Sequence, residues 1–120
     1  MSIHWRELKV WRKAHELVLL IHESVKTFPK SEMYSLTDQL KRAAYSIPAN
    51  LVEGQSRNTT KEYLSFLYNS RGSLEELRYF LLLACDLHFL DSDSYQNLED
   101  KSREVSLMLN AMIKTLRSKL

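Results

Sequence analysis

Apolar residues recur at alternating steps of three and four along most of this chain, the mark of helices packed along their length. Trp11, Ala14, Val18, Ile21, Val25 and Phe28 carry the first such stripe and predict a helix over 5–27. Phe28-Pro29 ends it, because the residue before a proline is pushed out of the helical region. Leu36, Leu40, Ala44, Ile47 and Leu51 predict a second helix over 31–54, with Ser31 as N-cap and Glu32 in the first turn. Pro48 falls inside that pattern and predicts a bend, and Gly54 is the expected C-terminal stop. Thr59-Thr60-Lys61-Glu62 reads as a capping box opening a third helix over 59–90. Its main stripe is Leu67, Ser70, Leu74, Leu77, Leu81 and Ala84, flanked by Phe66, Ser73, Phe80 and Leu87. Tyr95, Leu98, Ser102, Val105, Leu109, Met112 and Leu116 predict the fourth, over 92–118, after Asp91-Ser92. Connections this short force sequential helices to run antiparallel. The expected fold is all-α: one domain over 1–120, an antiparallel up-down four-helix bundle with a kinked second helix.

Composition agrees. Two glycines and two prolines in 120 residues are too few for the reversals of a sheet protein, and the length suits one core. Cys85 stands alone, which excludes an internal disulfide framework and fits a reducing compartment. No apolar run reaches membrane-spanning length, and the first residues lack the apolar core of a signal peptide. A cytoplasmic protein without membrane contact is expected. From Tyr79 to Leu90 the third helix is apolar nearly all round, more than a four-helix monomer covers, and this predicts self-association.

Two polar rows interrupt the stripes. One comprises Gln39, Ala43, Ser46, Asn50 and Glu53, the other Ser65, Asn69, Gly72 and Glu76. A mid-helix glycine costs about 1 kcal/mol against alanine, so Gly72 is expected where helices two and three approach closely, with Ala43 or Ser46 opposite. Ser46, Asn50 and Glu53 are readable as a reactive cluster. A satisfied polar seam is preferred, since buried polar groups are normally hydrogen-bonded to one another.

Several blocks resemble a known family. Thr27-Phe28-Pro29-Lys30-Ser31-Glu32-Met33-Tyr34-Ser35-Leu36 continuing to Arg42-Ala43-Ala44, then Ser46-Ile47-Pro48-Ala49-Asn50-Leu51-Val52-Glu53-Gly54, then Gly72-Ser73-Leu74-Glu75-Glu76-Leu77 occur in the family's order. Lys9-Val10-Trp11 with Ala14 resembles its first helix. The family is the four-helix-bundle proteins encoded in intervening sequences of bacterial 23S ribosomal RNA genes. Its relatives include accessory variability proteins of diversity-generating retroelements. The resemblance implies a ring-shaped homo-oligomer, commonly a pentamer, and for the retroelement relatives binding to a reverse transcriptase and to nucleic acid. It brings no catalytic residue. Gln39, Ser46, Asn50, Glu53, Gly54, Gly72, Ser73 and Glu76 are its motif positions here, with architectural roles.

A net charge of +2 conceals strong polarity. Up-down topology gathers Arg6, Lys9, Arg12, Lys13, Arg57, Lys61, Lys114, Arg117 and Lys119 at one end, against Glu7, Glu16, Glu53 and Glu62. The other end collects Glu23, Glu32, Asp38, Asp86, Asp91, Asp93, Glu99 and Asp100, against Lys26, Lys30, Lys41, Lys101 and Arg103. Helix-dipole complementation explains helix four but not helix one, whose first turns carry four cations where the dipole disfavours them. Trp5 lies among those cations as a candidate stacking surface; Trp11 falls on the core stripe.

Other chemistry finds little footing. His15 and His22 stand about 10.5 Å apart along a helix axis, too far to share a metal. Cys85 and His88 have no third ligand, and two glycines cannot build a phosphate loop. No metal, cofactor, catalytic activity or small-molecule substrate is expected. The leading expectation is a non-enzymatic, ring-forming homo-oligomer whose basic end serves RNA, DNA or a nucleic-acid enzyme. The alternative is a protein-binding scaffold with no nucleic-acid affinity.

Overall fold

The computed structural model describes residues 4–120. Four helices make up the bundle: α1 Lys9–Ser24, α2 Leu36–Gln55, α3 Thr60–Asp86 and α4 Ser92–Arg117. Together they span 46 × 24 × 20 Å. Each packs on its sequential neighbours, and α1 closes the bundle against α4. Cross-helix pairs fix the directions. On α2 and α3, Ile47 pairs with Ser70 and Ser46 with Ser73. On α3 and α4, Arg71 pairs with Asn110 and Arg78 with Glu99. Numbers fall on one helix as they rise on the next, so these neighbours run antiparallel. Lys13 meets Glu104 at 3.2 Å between α1 and α4. The predicted stripes form the core, with Ala14, Ile21, Leu40, Leu51, Leu67, Leu74 and Leu109 fully buried.

Helix ends differ from the periodicity reading, each for a local reason. The first element is not one helix over 5–27. A single 3-10 turn, Trp5–Glu7, is capped where the His4 ring accepts from the Arg6 N–H, and Leu8 is extended before α1 begins. A second 3-10 turn, Val25–Thr27, leads to an extended Phe28 before Pro29. Nor is Ser31 the N-cap of α2. Residues Lys30–Glu32 form another 3-10 turn, and Glu32 reaches forward from it to accept from the Leu36 N–H and the Ser35 hydroxyl.

The third helix stops at Asp86, four residues short of 90, because His88 turns left-handed with φ 66°. The Phe89 N–H then bonds back to the Ala84 carbonyl at 2.9 Å, and the His88 N–H to Cys85 at 3.0 Å. That pattern closes a helix end without glycine. It folds Phe89 onto Phe28, ring centroids 5.6 Å apart. The third helix's start follows the expectation, with Thr59 accepting from the Glu62 N–H at 3.1 Å.

The expected role of Gly72 is overturned. It lies exposed on the outer face of α3, and a Cβ there would have nothing within 4 Å. The close approach belongs to Gly54, buried inside α2, where a Cβ would meet Tyr63 Cδ1 at 2.9 Å and Phe66 Cβ at 3.0 Å. No described glycine has positive φ, so Gly54 is not a left-handed stop either.

Asp91 caps α4 by accepting from the Ser94 N–H at 2.7 Å. That bond first, and the Ser94 hydroxyl second, holds its carboxyl below the usual carboxylate value. A depressed folded pKa contributes stability above the unfolded value and loses it as pH falls through the folded one. We therefore expect Asp91→Ala to remove part of the acid-side loss of stability, checked by thermal midpoints taken from neutral pH downward. Parallel curves for the two proteins would show that the cap has no pH-linked role.

Candidate nucleic-acid interface

The polar seam between α2 and α3 is satisfied. Ser73 donates to the Ser46 hydroxyl at 2.7 Å, and Asn50 donates to the Ser46 carbonyl and hydroxyl at 2.7 and 2.9 Å. The buried Ser70 hydroxyl donates to the Ile47 carbonyl at 2.9 Å. These bonds run among hydroxyls, an amide and carbonyls, with no base to activate a nucleophile. Glu53 is outside the seam, paired with Arg57, while Gln39 and Glu76 are exposed. Among the described residues no group of three or more His, Cys, Asp or Glu is placed to hold a metal. No described helix is long and apolar enough to cross a membrane.

The nine candidate cations divide into three groups. Two are neutralised: Arg57 by Glu53 at 3.3 Å, its guanidinium also lying over the Phe66 ring, and Lys13 by Glu104 and Glu16. The hydrogen bond to Glu104, followed by its charge, raises the Lys13 pKa above the ordinary lysine value.

A second group surrounds the start of α1. Arg6 lies over the Trp5 ring at 4.6 Å, and Arg12 donates to the Glu7 carbonyl. Lys9 is exposed beside them. Trp5 meets Trp11 edge-on at 4.7 Å, and Trp11 stacks on His15 at 5.1 Å. Trp11 is half-buried against the core, as its place on the stripe implies, so much of the stacking surface is already used internally.

The third group is Lys61, Lys114, Arg117 and Lys119. No described carboxylate lies within ion-pair distance of any of them. Lys114 and Arg117 line a groove of about 260 Å³ between α3 and α4, together with Arg71, Asn110 and Ile113. Arg71 is absent from the sequence-based set. Its signal was available: neither 63–74 nor 105–120 contains an Asp or Glu, and antiparallel packing sets those two stretches side by side.

Four packed helices with a hydrogen-bonded polar seam between α2 and α3 define an all-α helical-bundle protein. The chain belongs to the 23S rRNA-intervening sequence protein family, whose pattern matches residues 6–111. Its fold is that of a protein of unknown function from the S23 ribosomal protein family of Bacteroides thetaiotaomicron. The two share 22% identity and a TM-score of 0.82 over 88% of this chain and 98% of that one. No curated protein matches the chain.

Proposed function

We propose that the protein is a non-enzymatic, ring-forming homo-oligomer, a pentamer by its family resemblance, that serves as a nucleic-acid or ribonucleoprotein accessory. The observation that carries this is the basic end. Lys61, Lys114, Arg117 and Lys119 gather there without a described carboxylate partner, and Arg6, Lys9 and Arg12 add to them from around the start of α1. In a ring whose subunits point the same way, each copy adds its cations to one rim, a broad positive surface for phosphate.

Exposed apolar side chains on and beside α3 support the assembly. Tyr34, Tyr79, Leu87 and Leu82 are 92%, 59%, 47% and 44% exposed. Beside them Leu36, Phe80 and Leu83 line a groove of about 440 Å³. A second copy is its proposed occupant.

Fluorescence anisotropy of a labelled single-stranded oligonucleotide, titrated across a salt series, tests the binding. Affinity is expected to tolerate changes of sequence. Its logarithm should fall linearly with log salt, with a slope of about −0.7 per phosphate contacted. Absence of binding at low salt overturns the nucleic-acid reading and leaves the protein-scaffold alternative.

A further inference from the structure

We infer that the groove between α3 and α4 is a track for the phosphate backbone of single-stranded nucleic acid, with Arg71, Lys114 and Arg117 as its cations and Tyr68 as an adjoining base-stacking surface. This rests on the nucleic-acid reading above and narrows it to one face of the bundle.

Elsewhere between its helices this chain pairs its cations with carboxylates. Lys13, between α1 and α4, faces Glu104 at 3.2 Å. Arg78, between α3 and α4, is gripped by Glu99 at 2.6 Å and Glu75 at 2.9 Å. The hydrogen bond to Glu99 outweighs partial burial and raises the Arg78 pKa. Arg71 lies two turns before Arg78, on the same side of α3. The residue opposite is now a neutral amide, Asn110, which accepts from Arg71 Nη1 at 3.2 Å. That bond orients the guanidinium and leaves its charge uncompensated.

Lys114, one turn further along α4, and Arg117 bring two more cations to the same groove, again without a described carboxylate partner. Three like charges around one groove repel each other, and an anion laid along it relieves that. Helix-dipole complementation accounts for Lys114 and Arg117 in the last turn of α4. It cannot account for Arg71, which sits in the middle of α3.

A polyanion suits this site better than a small anion. The groove is open, and its cations are strung along the helix axis rather than converging on a single point. An aromatic adjoins it: the Arg71 guanidinium lies 5.1 Å from the Tyr68 ring centroid, and Tyr68 remains 39% exposed. Cations tracking a backbone beside an aromatic that accepts any base are the elements of sequence-tolerant single-strand binding. The mid-helix Arg71 extends the positive surface from the end of the bundle up its flank.

Asn110→Asp is the discriminating variant, because it gives this seam the carboxylate its neighbours have. It should hold or raise the thermal midpoint, since it pairs Arg71. Yet it should weaken binding of a labelled oligo-dT strand about tenfold at low salt. Arg71→Gln combined with Lys114→Gln should weaken binding at least as much and reduce the salt slope by about 1.4, two contacts at about 0.7 each. Tyr68→Leu should weaken binding with the slope unchanged. An Arg6→Gln, Lys9→Gln, Arg12→Gln triple variant provides the comparison. If it abolishes binding while Asn110→Asp and the groove double variant bind like wild type, the groove inference is overturned and the basic-end reading stands. If wild type itself does not bind, both fall.

Discussion

Gly54→Ala is expected to destabilise the fold by about 1–3 kcal/mol, while Gly72→Ala is expected to stabilise it by up to about 1 kcal/mol. Both glycines lie inside helices, so helix propensity favours alanine at both. Space decides the difference. A Cβ at 54 would lie 2.9 Å from Tyr63 Cδ1 and 3.0 Å from Phe66 Cβ. Neither can give way cheaply. Phe66 Cβ moves only with the α3 backbone, and the Tyr63 ring is tethered by its hydroxyl, which donates to Gln55 Oε1 at 2.7 Å. Burial raises the Tyr63 pKa to about 12, so that donor stays protonated across the neutral range. An added methyl therefore has to push α2 and α3 apart. At 72 the methyl would enter open space. Urea melts of the two variants check this, and equal or reversed signs would show that the helices approach somewhere other than Gly54.

The second large effect concerns the exposed leucines on and beside α3. A double variant, Leu82→Glu with Leu87→Glu, is expected to dissociate the assembly into folded monomers. Burying a leucine contributes about 1.5–3 kcal/mol. About half of each side chain is already covered in the single chain, so losing two per contact costs about 1.5–3 kcal/mol, one to two powers of ten in the association constant. Because both side chains are exposed in the single chain, the bundle should retain its helicity. Circular dichroism alongside sedimentation separates the two effects. An unchanged particle mass with intact helicity would place the interface on another face.

The bundle was legible because spacings of three and four survive any context that buries one face. What periodicity misplaced was rotation and ends. The polar row Ser65, Asn69, Gly72 and Glu76 is one residue off the row that faces α2, Phe66, Ser70 and Ser73. On a helix one residue is about 100°, enough to turn Gly72 to solvent and leave Ser73 on Ser46. In the sequence Gly54 reads only as a helix stop; its tight contact with Tyr63 and Phe66 depends on the register between two helices, which no single stripe encodes. Helix ends failed where a side chain or a rare backbone angle decided them, as Glu32 does for α2 and the left-handed His88 for α3.

Antiparallel topology alone leads to the expectation that charge gathers at one end. Which cations are free does not follow from it. Lys13 lies among exposed basic residues in the sequence, and only the packing of α1 on α4 brings Glu104 to it. Arg71, unremarkable in mid-helix, gains its meaning from Asn110 across the groove. The absence of acids from 63–74 and from 105–120 was the one linear trace of that arrangement.

Sedimentation equilibrium of the wild-type chain at micromolar concentration decides whether this protein assembles as the proposed ring with a positive rim requires. A particle of several copies is expected, five by the family resemblance. A species of 14.1 kDa, one chain, would contradict it.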